Sequence, residues 1–384
     1  MDFDLTEEQE MTRRTVRDFA EREIIPVIRD YDRAERFPWE IIHKMSPLGL
    51  LGAPVPQEYG GMGVDYITYA ILIEELGRAD TSLRTTVSVH SSLGELSILH
   101  YGTEEQRRKY LPRLASGEII GSFSITEPNV GSDAAGMQTI AELRGDEWVL
   151  NGNKLWVTNG GICGLAVIFA QTDKNKGVKG ISAFIVERGT PGFNTREIHG
   201  KLGLRSSSTA EFILEDCRIP KENLLGQVGD GFKIAMACLD NGRLGIAAGC
   251  VGLAQACIDA SVKYARERNQ FGRPIGSFQL VQDMIVQMVT ETEAARFLVY
   301  RAAYLKNKGL KNTREASMAK LYASEVAKRA ADLAIQVHGS YGYSDEYPVE
   351  RYYRDVRADT IYEGTSEIQK LIIGRHTLGI DAFV

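Results

Sequence analysis

The stretch Trp148-Val149-Leu150-Asn151-Gly152-Asn153-Lys154-Leu155-Trp156-Val157-Thr158-Asn159-Gly160-Gly161 reads as two short β runs. Asn-Gly divides them and Asn-Gly-Gly closes them, and both are tight-turn signals. Similar runs follow at Leu165 to Ala170, Ile181 to Val186 and Ala210 to Leu214, with a further turn at Pro191-Gly192. Residues 121–225 therefore read as an antiparallel β-domain. Outward on both sides the texture is helical. Before it, Thr6-Glu7-Glu8-Gln9 has a capping-box pattern, and Met11, Val16, Phe19, Ala20, Ile24 and Val27 recur at helical spacing. After it, amphipathic patterns over 232–267, 276–306, 313–338 and 364–377 predict an antiparallel four-helix bundle, with Gly309 and Gly339 as helix stops. The expected fold is α+β and mostly α: an N-terminal α-helical domain (1–120), a middle antiparallel β-domain (121–228) and a C-terminal four-helix-bundle domain (229–384).

Composition excludes several classes. With 43% hydrophobic and 25% charged residues and a net charge of −6, the 384-residue chain reads as a globular protein of two or three domains without a basic nucleic-acid face. No apolar run looks long enough to span a membrane. The N-terminal Met1-Asp2-Phe3-Asp4-Leu5 lacks a basic region and an apolar core, so neither a secretory signal nor a transit peptide is expected, unless processing has removed the latter. The five cysteines form no C-x-x-C pair and the six histidines are scattered, so free thiols in a reducing compartment and no metal site are expected. A bacterial or archaeal cytoplasm fits, or the mitochondrial matrix for a processed chain.

Chemistry concentrates near the C-terminus in Asp359-Thr360-Ile361-Tyr362-Glu363-Gly364-Thr365-Ser366-Glu367-Ile368. Thr365 or Ser366 can cap a helix whose first turn holds Glu367. Glu363 then lies in a tight turn beside free backbone N–H groups, a placement that suits either a base or an acidic cap on a surface loop. Other segments look purposeful. Phe123-Ser124-Ile125-Thr126-Glu127-Pro128-Asn129-Val130-Gly131-Ser132-Asp133 runs from a strand into a loop. Trp156 and Thr158 share one strand face, where they could form a cross-strand pair or a bed for a planar ring. Asp240 and Arg243 share a helix face, as a salt bridge or a ligand clamp. On the helix predicted over Thr81 to Tyr101, Arg84, Ser88, Ser91, Ser92 and Glu95 fall close together.

In this order, these motifs resemble the acyl-CoA dehydrogenases, a flavoprotein family, over essentially the whole chain. Residues 123–133 are similar to its T-E-P-x-x-G-S-D signature, and Lys154-Leu155-Trp156-Val157-Thr158-Asn159 to its K-x-W-I-T-N. The resemblance implies FAD contacts at Phe123 (often Tyr in the family), Ile125, Thr126, Gly131, Ser132, Trp156 and Thr158. It implies that Arg268, Phe271, Gln279, Gln336, Gly339 and Ser340, with Thr365 and Glu367, clasp the FAD pyrophosphate and adenine across a subunit interface. Ser340 replaces the family's usual Gly. Such a clasp implies a homotetramer built as a dimer of dimers.

For substrate, the resemblance implies contacts from Ser132, Asp240, Arg243, Tyr362 and Gly364. Glu363 becomes the base that takes the α-proton of an acyl-CoA thioester while the β-hydrogen leaves as hydride to the flavin. The backbone N–H of Glu363 would stabilise the charge that develops on the thioester oxygen. Some relatives carry the base at the position of Gly242, which cannot serve here. Electron-transferring flavoprotein is the expected acceptor. Around Arg84 the chain resembles glutaryl-CoA dehydrogenases, where an Arg binds a distal carboxylate, although Gly77 stands where some of them have an acidic residue. Two readings of Arg84 are open: a selector for dicarboxylic chains, or a partner of Glu95 or Glu75. Short, branched or cyclic acyl chains are the alternatives, as are an oxidase or monooxygenase on the same fold. A non-enzymatic acyl-CoA-binding relative fits poorly with an intact Tyr-Glu-Gly-Thr. Fatty acid, aromatic or amino acid degradation is the expected setting.

Overall fold

A computed structural model describes residues 4–382. The reading of Met1 to Phe3 as lacking a signal lies outside the described residues. The first part is helical: α1 (Glu7–Phe19), α2 (Ile28–Arg33), α3 (Trp39–Met45), α4 (Tyr66–Ala79), α5 (Thr81–Ser88), α6 (Leu96–Tyr101) and α7 (Glu104–Ala115). The capping box forms as expected, Thr6 Oγ1 accepting from Gln9 N–H at 3.2 Å and Gln9 Oε1 from Thr6 N–H at 3.1 Å. The helix expected over 81–101 is continuous but contains a π-helical segment, Val89–Glu95, between α5 and α6. The wider turn changes the phase of the small-residue face. Arg84 reaches Asp359, whereas Ser91 Oγ donates to Leu51 O at 2.9 Å.

The middle strands are β1 (Gly121–Ser124), β2 (Ile140–Arg144), β3 (Glu147–Thr158), β4 (Leu165–Gln171), β5 (Ile181–Glu187), β6 (Phe193–Glu197), β7 (Thr209–Pro220) and β8 (Leu224–Leu225). They form one sheet in the order β6-β7-β3-β2-β4-β5-β8, with β1 added beside β4. The sheet is mixed: β4 pairs parallel with β1 and β2, and the other pairings are antiparallel. Asn151-Gly152 does not turn the chain. It lies inside β3, where the pairing with β7 shifts register between Leu150 and Gly152. A second shift, between Lys154 and Val157, brackets Trp156.

The chain ends in helices α8 (Gly231–Glu267), α9 (Gln279–Asn307), α10 (Thr313–His338), α11 (Val349–Asp359) and α12 (Ser366–Leu378). The four predicted helices are present, and Gly339, at φ 60°, stops α10. α11 went unread, because its charged sequence VERYYRDVRAD buries only Val349, Arg351, Asp355, Val356 and Asp359. Contrary to the sequence expectation, α8 is long and apolar enough to cross a membrane, but 78% of its apolar window is buried inside the protein. It is the central core helix. One apolar core takes in α1 and α4 together with α8, α9 and α10, so the first and last parts of the chain share an interior. Polar contacts tie the sheet to the first helices. Asn159 Nδ2 donates to Thr86 O and Gly121 O, both at 3.1 Å, and His90 Nδ1 accepts from Gly121 N–H at 2.8 Å.

Candidate active site

The turn between α11 and α12 holds Glu363 and Gly364 at φ 51° and 91°. Left-handed backbone is natural for Gly364 and costs about 1–3 kcal/mol for Glu363, so neighbours must hold it. They do so from three helices. Lys320 Nζ on α10 donates to Gly364 O at 2.8 Å. Gln369 Nε2 on α12 donates to Glu363 O at 3.3 Å and Gly364 O at 2.9 Å. Arg243 Nε on α8 lies 3.5 Å from Glu363 O. The carboxylate is directed at α8, where a Cβ at Gly242 would stand 1.9 Å from Glu363 Oε2. That oxygen is out of solvent and has no hydrogen-bond partner among the described residues. Burial pushes the Glu363 carboxyl up to about 7, against the opposing pull of Arg243, Lys320 and Arg84. An unpartnered carboxylate titrating near neutrality is a competent base.

Arg84 pairs with neither Glu75 nor Glu95. Its Nη2 donates to Asp359 Oδ1 at 2.8 Å, and the same oxygen accepts from Tyr362 OH. Both members of the ion pair are wholly buried. Glu75 instead binds Arg17 at 2.7 Å, and Glu95 lies 3.5 Å from His90. Arg84 Nε and Nη1 have no partner among the described residues. The guanidinium crosses α8 at Gly249, where a Cβ would stand 2.2 Å from Nε. Asp240 and Arg243 do form the local salt bridge, at 2.8 Å, and Thr313 Oγ1 donates to Asp240 Oδ2 at 2.6 Å.

The two middle motifs are fastened together by a buried ion pair. Lys154 Nζ lies 2.8 Å from Glu127 Oε1, both side chains nearly inaccessible. Glu127 also accepts from the backbone of Gln138 and Thr139 at 2.7 and 2.9 Å. Lys154 Nζ donates to Ile125 O at 3.3 Å, and Leu155 N–H to Thr126 O at 2.9 Å. Ile125 and Thr126 are thereby held beside the bulge at Trp156. Trp156 has φ 59° and an indole 59% exposed, an unusual position for a tryptophan unless something planar covers it. Thr158, two residues further along β3, is half-buried. Phe123 lies mostly in the core, edge-on to Phe169 at 4.8 Å. Gly131 and Ser132 lie on the exposed loop that follows.

The remaining predicted cofactor residues are superficial. Arg268, Phe271, Gln279, Gln336, Gly339 and Ser340 are all exposed, Phe271 to 92%. The Arg268 guanidinium lies 5.7 Å from the centre of the Tyr341 ring. Thr365 caps α12, accepting from Ile368 N–H at 3.3 Å, and Glu367 is exposed in its first turn. Sequence reading assigned no role to Lys320, Gln369, Asp359, Glu127 or Lys154. One signal was available: Lys320 lies on the buried face that α10 otherwise lines with Ala316, Ala323 and Ala327.

The family models for the acyl-CoA dehydrogenase N-terminal, middle and C-terminal domains match residues 6–118, 122–217 and 229–378. The chain belongs to the acyl-CoA dehydrogenase family. It is a flavin-dependent oxidoreductase whose cofactor is FAD. It is 49% identical to the short-chain-specific acyl-CoA dehydrogenase of Clostridium acetobutylicum, over 97% of this chain and 98% of that one. Its fold matches a glutaryl-coenzyme A dehydrogenase solved with glutaryl-CoA (TM-score 0.97, 44% identity, covering 99% and 97% of the two chains). It matches equally a chain from work on the electron transferring flavoprotein of Acidaminococcus fermentans (TM-score 0.97, 47% identity, 98% and 100%). The residues present fit a flavin: an exposed indole set by a bulge, backbone groups pinned beside it, and a solvent-facing arginine for a pyrophosphate.

Proposed function

We propose that this acyl-CoA dehydrogenase oxidises a short straight-chain acyl-CoA to the 2-enoyl-CoA, with Glu363 as the base. The observation that carries the base is the unpartnered Glu363 Oε2 opposite Gly242. Chain length follows from what fills α8 beyond it. Gly245 and Gly249 continue the face that Gly242 begins, but the protein's own side chains cover them. A Cβ at Gly245 would meet Ser88 Oγ at 2.4 Å, and Gly249 lies under Arg84. A helical turn advances about 5.4 Å, so the glycine face of α8 is closed by these side chains about one turn past Gly242, which suits a few carbons. The short-chain relative supports the same reading.

When bound, FAD would supply the acceptor for the β-hydrogen, which leaves as hydride. The chain's residues do the rest. Glu363 takes the α-proton, and its raised pKa makes it a stronger base than a solvated carboxylate. Its backbone N–H would meet the thioester oxygen as charge develops there. Tyr362 and Gly364 flank the acyl group, Ser132, Asp240 and Arg243 orient the CoA portion, and Ile125, Thr126, Trp156 and Thr158 bed the flavin ring. Electron-transferring flavoprotein is the proposed acceptor. A homotetramer is the proposed assembly, supported by Leu280, Val286 and Val289 standing exposed on α9. The free buried thiols fit a reducing compartment.

One observation favours a second substrate. Arg84 Nε and Nη1 are buried and unpartnered, so a short dicarboxylic chain could place its distal carboxylate there. Anaerobic titration with butyryl-, isobutyryl-, glutaryl- and cyclic acyl-CoAs tests both readings. Butyryl-CoA should bleach the flavin fastest, and Glu363→Gln should slow bleaching at least about a thousandfold. Preferential bleaching by glutaryl-CoA, lost in Arg84→Ala, would replace the short-chain reading with the dicarboxylic one.

A further inference from the structure

We propose that Lys320 is a positioning residue for the base, holding the left-handed Glu363–Gly364 turn against Gly242 and keeping a cation behind it. The inference rests on the reading of Glu363 as the base. Lys320 is wholly buried on α10, and the ligand its Nζ holds is the Gly364 carbonyl, at 2.8 Å. A lysine is a costly way to satisfy one carbonyl, since a buried ammonium loses its hydration. Gln369, also wholly buried, already donates to that carbonyl at 2.9 Å. What Lys320 adds is charge: burial lowers its pKa, and Cys250, Asp359 and Glu363 pull the other way. The charged and titratable groups facing it are Cys250 and Arg243 from α8, Asp359 from α11, and Glu363 itself. Those facing Glu363 are Arg243, Lys320, Arg84 and Asp359, together with the buried Tyr69 of α4.

Two roles follow, one for each property of the side chain. The donor fixes the carbonyl after Glu363, and so fixes where the carboxylate points. A carboxylate displaced by about 1 Å can cost a hundredfold in rate. The charge offsets the burial that favours protonated Glu363, so that enough carboxylate is ionised to act at neutral pH. Gln369 shares the first role and lacks the second. The two residues are therefore separable by experiment, and a packing role alone would not produce the difference.

The test is stopped-flow flavin reduction by butyryl-CoA across pH, on FAD-loaded wild type, Lys320→Met, Lys320→Arg, Gln369→Leu and Glu363→Gln. Lys320→Met should reduce its flavin about tenfold to a hundredfold more slowly at pH 7, with the rising limb of its profile moved to higher pH. Lys320→Arg should recover most of the rate and the original profile. Gln369→Leu should be slower with its profile unmoved. If Lys320→Met does not fold, Lys320→Gln, which keeps a donor without the charge, should still show the moved profile. A wild-type profile in whichever neutral variant folds would overturn the proposal. Failure of the underlying reading looks different: Glu363→Gln would then reduce flavin at the wild-type rate, whatever the Lys320 variants do.

Discussion

Gly242 does more for the site than its lack of a side chain first implies. A glycine inside a 37-residue helix costs about 1 kcal/mol relative to alanine, and it is placed where a Cβ would fall 1.9 Å from Glu363 Oε2. Helix stability is given up to seat a carboxylate. Gly242→Ala should therefore melt no lower than wild type, keep its FAD and reduce it at least about a hundredfold more slowly, as followed by thermal melting and anaerobic flavin bleaching. Unchanged reduction would mean that Glu363 can act from another position. The tight turn at Glu363 was legible in sequence, because a carboxylate before Gly-Thr and a helix start is a local pattern, but that pattern fitted an acidic cap as well as a base, and only the resemblance of the whole chain chose between them. Lys320 and Asp359 were not, because their meaning lies in long-range partners: Gly364 O for one, and Arg84 for the other.

At the scale of elements, β3 carries the cofactor argument. Lys154 points inward to Glu127, and the bulge two residues later turns Trp156 outward. Removing the cation would strand a buried carboxylate, which typically costs about 3–5 kcal/mol. Lys154→Met should lower the melting temperature and release FAD on gel filtration, with Lys154→Arg less affected. A Lys154→Met protein that melts and holds FAD like wild type would show that the ion pair is dispensable. Sequence periodicity found β4 and β5 because both faces are buried, and it split β3 because Asn-Gly ordinarily turns a chain. Tertiary pairing with β7 overrides that local preference. Pairing likewise recruits β2, onto β3, and β6, onto β7, whose short, polar runs carry little signal of their own.

At the scale of the whole molecule, the parts meet over buried carboxylates. Asp355 of α11 accepts from Leu204 N–H in the β6–β7 connection at 2.6 Å, and it faces Asp80, Asp32 and Arg351. Arg354 binds Asp32 at 2.7 Å. Burial first, then Asp80 and Asp32, push the Asp355 carboxyl above the ordinary range, and burial lifts Asp80 as well. A raised carboxylate pKa favours the folded state at low pH, and that contribution is lost as pH rises through the folded value. Melting temperature should thus fall as pH rises from the ordinary aspartate range near 3.8 to the raised Asp355 value of about 8 and level off above it, and Asp355→Asn should flatten the fall. A parallel decline in the variant would assign it to other groups. The order of helices, sheet and helices was legible because hydrophobic period changes near residues 120 and 230. The shared core was not, because periodicity shows which face is apolar and leaves open what covers it.

The pairing of Arg84 with Asp359 also has a consequence for synthesis. The partners are 275 residues apart, and at a typical 5–20 residues per second the ribosome adds Asp359 about 14–55 s after Arg84. During that interval the nascent chain carries a cation destined for its interior and no counter-ion to go with it. The first helices cannot close their common core either, since α8, α9 and α10 supply its other side. A message truncated before α11 would yield a chain with its sheet sequence complete and an uncompensated guanidinium in its unfinished core. Such a product would also leave uncovered the apolar surface that Val349 and Val356 of α11 close in the finished protein.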